Sequence, residues 1–355
     1  MRIAIDAMGG DHAPDSPVAG AREAVHAHPS VEAILVGDPK RIGRLLGEDA
    51  HHPRIRVVPA SEVIEMAESP VHAVRKKTDS SMVRAIRLIP SGAADAVISA
   101  GNTGALMAAG LFILGRMPGI ERPALTAILP VFQGWGLLLL DVGANLDPKP
   151  SQMYQYGLMG SLYCHEVYGI DRPRVALLNV GVEAGKGTPL VKETHHLLKK
   201  DSRLHFIGNL EARELLQGKA DVVVADGFSG NIALKLTEGL ARDLMGELRA
   251  MFLANWRSKL SAFFLRDGLR RLKGLLDYQE YGGAPLLGLD QALYKCHGSS
   301  EPKAFRQAIL IAEKHCARGS QARIRDRIQE GDFHGHTGGG SGTWDVRPGE
   351  NFDQS

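Results

Sequence analysis

Cysteine is scarce. The 355 residues hold three, Cys164, Cys296 and Cys316, with no C-x-x-C pair and one left over from any pairing. That excludes a disulfide framework and predicts thiols in a reducing compartment, the cytoplasm. No apolar run approaches the length of a membrane span. Residues 1–15 contain one Arg and an early Asp6 but no apolar core ahead of a cleavage site, so no secretory signal is expected either. A charge excess is missing as well. The formal net charge is +2, too mild for a protein that grips a phosphate backbone with a whole basic face, and nucleic acid is not expected as a partner. There is no G-x-G-x-x-G fingerprint. The nearest approach to a nucleotide P-loop, G-V-E-A-G-K-G-T at 181–188, has three residues between its glycines where four are needed, and Gly187 separates Lys186 from Thr188. His51-His52, His195-His196, His334 and His336 lack further ligands at metal spacing. Neither a metal nor an organic cofactor is expected.

What is present is a pair of matched turns. Residues 94–105 read A-D-A-V-I-S-A-G-N-T-G-A, a β-branched run ending in Gly101, Asn102, Thr103 and Gly104 and passing into a helical pattern. Residues 220–231 read A-D-V-V-V-A-D-G-F-S-G-N, with Gly227, Ser229 and Gly230 aligned on Gly101, Thr103 and Gly104 and Asn231 closing the run. Glycines permit a sharp turn close to a ligand, and the helix that follows offers unpaired N–H groups to an anion. An anion site is the functional reading. The structural one is that any α/β protein needs small residues in such turns.

The order of elements predicts a largely parallel sheet covered on both sides. Strands over 2–6, 31–37 and 55–58 alternate with helices from about Pro17 and over 39–46. Asp11 and His12 follow the first strand, where open α/β sheets bind ligands, and Asp11 serves equally well as a helix cap. Strands 124–129 and 137–141, joined by a short turn, predict an antiparallel hairpin inside the parallel sheet. A strand at 175–180 leads into the loop carrying Lys186, a cation at the start of the helix predicted over 189–200. Residues 281–290 read as a glycine-rich loop. His297 precedes Gly298-Ser299-Ser300 before a helix over 301–317. A lone His is usually structural, but one in a turn of small residues is a candidate acid or base.

Two basic stretches stand out. Arg75-Lys76-Lys77 precedes a small hydroxylated segment, and residues 249–276 form a basic amphipathic helical stretch in which Trp256, Phe263 and Phe264 alternate with Arg257, Arg266 and Arg270. Such a helix lies on anionic membranes, takes up a partner, or closes a dimer. From 331 onward no apolar period remains, and residues 331–355 are expected to be a mobile tail to a single domain over 1–330.

Taken together, D-A-M-G-G-D-H-A-P, K-K-T-D-S-S-M-V, S-A-G-N-T-G-A, D-V-G-A-N-L-D-P-K-P, A-D-G-F-S-G-N, Y-G-G-A-P-L-L-G and H-G-S-S, in this order, resemble the acyl-ACP:phosphate acyltransferases of bacterial phospholipid synthesis, the PlsX type. The likeness spans residues 1–317. It implies a three-layer α/β/α fold with a mostly parallel mixed sheet, related to the isocitrate and isopropylmalate dehydrogenases, with a protruding helical segment. It also implies a homodimer that moves a fatty acyl group from acyl carrier protein to inorganic phosphate, for use by a membrane glycerol-3-phosphate acyltransferase. The loop after Gly181 is less acidic than that resemblance would have it, and the tail beyond Gly331 is additional.

The residue chemistry agrees with that implication. A phosphate dianion must be held by N–H groups and a cation, set against a thioester carbonyl, and met by donors for the oxyanion that develops. Asn102, Thr103, Ser229, Asn231 and Lys186 are the expected holders, with His297 and Asp226 orienting them or managing a proton. Gly101, Gly104, Gly227, Gly230, Asp11 and His12 would shape the substrate site. Arg75, Lys76, Lys77, Trp256, Phe263, Phe264, Arg266 and Arg270 would meet the acidic carrier or the membrane. A nicotinamide-dependent dehydrogenase on the same fold, and a non-catalytic carrier or lipid adaptor, are the alternatives.

Overall fold

The computed structural model describes residues 1–276 and 282–330; the predicted tail and Tyr281 lie outside the described residues. One eleven-stranded sheet runs through the chain. Its first half is β1 (Arg2–Asp6), β2 (Glu32–Gly37), β3 (Ile55–Pro59), β4 (Ala96–Ser99) and the late strand β11 (Ala292–Lys295), all parallel, in the order β3-β2-β1-β4-β11. The second half is β6 (Leu137–Leu140), β7 (Arg174–Asn179), β8 (His205–Glu211) and β9 (Val222–Val224), again parallel, in the order β6-β9-β7-β8. Between them lie β10 (Ala284–Leu287) and β5 (Ala124–Leu129). Three antiparallel pairings in succession, β11 with β10, β10 with β5 and β5 with β6, reverse the direction. The carboxyl ends of the two halves therefore point opposite ways.

Alternation along the strands supplies two apolar faces. Leu137 and Leu139 of β6 pack into one core and Leu138 and Leu140 into another; Ala4 of β1 points away from Ile3 and Ile5. One face of the first half is covered by α1 (Asp15–Ala27), α2 (Pro39–Leu46) and α11 (Pro302–Ala317). The same side of the second half is covered by α6 (Pro150–Tyr168), α7 (Pro189–Lys200) and α12 (Ser320–Glu330). The opposite face carries α3 (Pro70–Lys76), α4 (Ser81–Arg87), α5 (Thr103–Ile113) and the start of α8 (Gly227–Leu253). The result is the expected three-layer α/β/α arrangement.

The predicted hairpin is present as β5 and β6, paired Thr126 with Leu140 through Leu129 with Leu137. The loop predicted over 281–290 is not a loop throughout. Ala284 to Leu287 form β10, because this apolar run between flanking glycines fills the gap that the reversal of the sheet leaves between β11 and β5. The second glycine turn also differs from its reading. Asp226 caps α8 by accepting hydrogen bonds from the N–H groups of Phe228 (3.1 Å) and Ser229 (2.8 Å), so Gly227 to Asn231 are already the first helical turn.

The basic stretch expected over 249–276 is the end of α8 followed by α9 (Trp256–Phe264) and α10 (Arg266–Leu276). Asn255 breaks it by capping α9 through Ser258 N–H (3.0 Å). This part protrudes: α9 buries no residue, and Trp256, Phe263 and Phe264 are 70%, 66% and 77% exposed. Among the described residues no helix is long and apolar enough to cross a membrane.

Candidate functional site

Three loops leave the carboxyl ends of the adjacent strands β1, β4 and β11 and pack on one another without room for a methyl group. Asp6, 1% exposed, accepts hydrogen bonds from the Ser99 hydroxyl (2.6 Å) and the Met8 N–H (3.3 Å). Burial pushes its carboxyl above the usual range, opposed by hydrogen bonds from Ser81, Ser99, Met8 and Gly9. A side chain on Gly9 would meet the Asp6 carboxylate at 2.5 Å and the Gly101 nitrogen at 2.8 Å. Gly10, at φ 103°, lies where a side chain would meet Ala100 Cβ at 2.9 Å and the Gly298 carbonyl at 3.0 Å. The Asp11 N–H donates to that same carbonyl (2.8 Å). D-A-M-G-G-D, S-A-G-N and H-G-S-S are thus one packed unit.

The second half answers with Asp141 at the end of β6. Fully buried, it accepts hydrogen bonds from the N–H groups of Leu125 (2.9 Å), Ala144 (3.1 Å) and Asn145 (2.6 Å), and burial raises its carboxyl. Gly227 and Gly230 seat α8 on this loop; a side chain on them would meet the Asn145 carbonyl at 2.5 Å and the Asp141 carbonyl at 1.9 Å. Because β4 and β9 run in opposite directions, the two glycine turns leave the sheet at opposite ends. Their echo in sequence is not a shared pocket of turns. What links the two ends is α8 itself, which rises roughly 12 Å over the eight residues from Gly227 and brings Lys235 to within 3.2 Å of His297 Nε2.

A cavity of about 1040 Å³ opens along this helix. Its body is apolar, with Leu125, Ile128, Leu129, Val142, Leu216 and Leu234 among the lining residues, and its polar groups include Asp11, Thr103, Asn231, Lys235, Lys295 and His297. A second cavity of about 1060 Å³ lies between α8, α9 and α10, where Met245, Leu248, Phe252 and Leu269 are interleaved with Arg242, Arg249, Arg266 and Arg270. Lys235, Glu238, Ala241 and His297 line both. They form the junction.

His297 is held at both ring nitrogens. An ammonium only donates, so Nε2 accepts from Lys235 Nζ, while Nδ1 faces Ser299, whose hydroxyl lies at 2.8 Å and whose N–H points to it at 3.3 Å. Lys235 also pairs with Glu238 at 2.8 Å. Burial and then the Lys235 charge lower the pKa of His297 below that of an ordinary imidazole, so it is neutral at pH 7.

The expected site residues divide by placement. Asp11, Thr103, Asn231 and His297 line the first cavity together. Asn102 is buried and fully engaged: its carbonyl oxygen caps α5 at Ala105 N–H (3.0 Å), and its amide donates to the carbonyls of Met66 (2.9 Å) and Glu68 (3.1 Å). Gly101 and Gly104 are pressed against Met82 and Pro70. Asp226 is the cap described above, Ser229 stands outside the lining, and the His12 carbonyl accepts from Ser16 N–H. Lys186 is exposed on the loop after β7, its carbonyl accepting from the Asn179 amide at 3.2 Å, and it does not line the cavity. Arg75 lies over the Phe112 ring at 5.3 Å, Lys76 is exposed, and Lys77 pairs with Glu68. Arg266 and Arg270 line the second cavity. Lys235 and Lys295 escaped the sequence reading; the available signal was a lysine ending the apolar strand A-L-Y-K. Among the described residues no three His, Cys, Asp or Glu side chains are grouped to hold a metal ion.

Comparison with known proteins now adds a class and a family. The fold is that of phosphotransacylases. A phosphotransacetylase from Streptococcus pyogenes superposes with a TM-score of 0.59 at 19% identity, covering 89% of this chain and 94% of that one. A branched-chain phosphotransacylase from Enterococcus faecalis gives 0.58 at 14%, covering 89% and 99%. The family model described as "Fatty acid synthesis protein" matches residues 1–323. A phosphate acyltransferase from an Exiguobacterium species is 52% identical over 315 residues, 88% of this chain and 94% of the relative. Another, from Brevibacillus brevis, is 49% identical over 330 residues, 93% and 98%. The chain belongs to this phosphate acyltransferase family.

Replacing Lys235 with Met removes the charge that lowers the His297 pKa, so the imidazole should titrate closer to the ordinary value of about 6.5. Histidine NMR across pH 5 to 8 checks this, and an unmoved His297 resonance would break the proposed contact.

Proposed function

We propose that the protein transfers a fatty acyl group from acyl carrier protein to inorganic phosphate, releasing an acyl phosphate. The observation that carries this is the first cavity. It slightly exceeds the range of about 300–1,000 Å³ for small-molecule sites, more than an acetyl group needs, and its polar lining includes Asp11, Thr103, Lys235, Lys295 and His297. A long alkyl chain fits the body, and a dianion fits the cationic groups. Family membership and the phosphotransacylase fold support the same chemistry.

In this reading a phosphate oxygen attacks the thioester carbonyl carbon and forms the new C–O bond. The carbonyl oxygen carries the developing charge toward the Lys235 ammonium. Collapse reforms the carbonyl and breaks the C–S bond, the electron pair leaving on the carrier thiolate, which then takes a proton from solvent. No covalent enzyme intermediate is needed, because phosphate is itself the nucleophile. The one cysteine beside the cavity, Cys296, is poorly suited to that role: burial pushes its thiol up to about 12. His297, held neutral, fixes Lys235 from one side and Ser299 from the other.

The carrier protein is acidic, and the arginine-walled second cavity is the complementary approach for its anionic arm, with Arg75 to Lys77 a further basic surface. Exposed Trp256, Phe263 and Phe264 would rest on an anionic membrane, where a glycerol-3-phosphate acyltransferase would accept the product. The homodimer would use the exposed stripe of α8, in which Phe228, Ile232, Leu236 and Leu240 recur every four residues, each at least 52% exposed, with Leu236 and Leu240 also bordering the first cavity.

Protein mixed with palmitoyl-loaded acyl carrier protein and phosphate should yield a hydroxamate on trapping with hydroxylamine, together with one carrier thiol per hydroxamate and none without phosphate. Carrier binding with no product would leave an adaptor. A Trp256, Phe263 and Phe264 triple Ala variant should lose flotation with anionic liposomes, and a Leu236→Asp, Leu240→Asp variant should sediment as a monomer; unchanged behaviour of either removes that face from the proposal.

A further inference from the structure

Lys295 ends β11, a strand in the interior of the sheet between β4 and β10, in register with Ser99 of β4 and Ala284 of β10. It is 9% exposed. A buried ammonium is costly unless its charge is answered, yet no carboxylate lies within ion-pair distance of it among the described residues. Its partners are two carbonyls, that of Ala100 at 3.2 Å and that of Cys296. An ammonium has three N–H donors, so one is uncommitted. The carboxylates that feel its charge are not paired with it: Asp6 accepts from Ser99 and Met8, and Asp11 is exposed beside Gly298, lining the same cavity. The lysine lines the first cavity, as do Thr103 and His297.

We propose that the Lys295 ammonium holds the inorganic phosphate acceptor, its remaining donor and its unanswered charge meeting a phosphate oxygen at the carboxyl end of β11. This rests on the acyl transfer reading for the identity of the anion, not for the existence of the site. Rigid anchoring to Ala100 and Cys296 makes the ammonium preorganised, since both carbonyls belong to the packed loops. Burial pulls the Lys295 pKa down to about 8. The groups facing it are Cys296, Asp6 and Asp11, which favour the charged form, and Lys235 with His297, of which Lys235 opposes it. Phosphate affinity should therefore fall as pH rises through about 8.

The test varies phosphate against palmitoyl-loaded acyl carrier protein for the native protein, Lys295→Met and Lys295→Arg. It also measures the protection that inorganic phosphate alone gives against thermal unfolding. Lys295→Met should fold with an unchanged or higher melting temperature, because a buried charge is relieved. Its phosphate KM should rise roughly ten- to a hundredfold, the loss of one charge-assisted hydrogen bond, while the carrier KM stays within about twofold, and phosphate protection should vanish. Lys295→Arg should retain binding without the alkaline decline. A folded Lys295→Met variant with native phosphate KM and native protection overturns the proposal. If that variant does not fold, a Lys295→Arg variant that keeps the native alkaline decline overturns it instead. The two readings separate cleanly: no turnover but Lys295-dependent phosphate protection keeps the site and removes the acyl transfer, whereas turnover indifferent to Lys295 does the reverse.

Discussion

The buried carboxylate of Asp6 holds the arrangement together. It ties the loop after β1 to Ser99 at the end of β4, and it can do so only because Gly9 leaves it the space. Once these two loops are in contact, Gly10 brings the third, at Gly298, within hydrogen-bond reach of Asp11. Three strand ends that would otherwise carry mobile turns become a single rigid floor. The cation at that floor and the histidine beside it inherit its rigidity, which is the condition for aiming charge at a reacting atom.

The reversal of the sheet supplies the rest. Two parallel halves pointing opposite ways place their loops at opposite ends, so a helix starting beside one set has to cross the cavity to reach the other. α8 does this, anchored at its start by Asp226 and by the close seat of Gly230 on Asp141, and ending in the exposed arginine-rich region. The apolar cavity under it and the basic cavity beyond it then meet at Lys235 and His297. A substrate with a long apolar part and an anionic tether would lie along that path with its reactive carbon near the junction.

Much of the fold was legible in the sequence because it is written in local pattern. The alternation of strand and helix, the hairpin of β5 and β6, and the basic amphipathic character of residues 249–276 all follow from period and turn chemistry, whereas the protrusion of that segment was implied by the family resemblance alone. β10 was not legible, since A-P-L-L between glycines reads as loop until the gap it fills is known. The site was legible only in part. Gly101 and Gly230 were conspicuous, but their reason for being glycine is the approach of the protein's own atoms, Met82 and the Asp141 carbonyl, rather than of a ligand. Lys186 was conspicuous by its glycine-rich surroundings, yet it lies on the loop after β7, outside the cavity. Lys295 carried no motif, because what makes it unusual is burial without a carboxylate, a property of the packed loops. Asp226 and Asn102 show the same limit: a helix cap and a ligand contact use the same residue types.

In the proposed reaction the carboxyl ends of β1, β4 and β11 hold the inorganic acceptor. Arsenate has the shape and charge of phosphate and scatters anomalously, so a crystal soaked in it locates the acceptor directly. One strong anomalous peak is expected within hydrogen-bond distance of Lys295 Nζ, in the cavity lined by Thr103 and His297. A peak at the Lys186 loop instead, with none at Lys295, would contradict that placement.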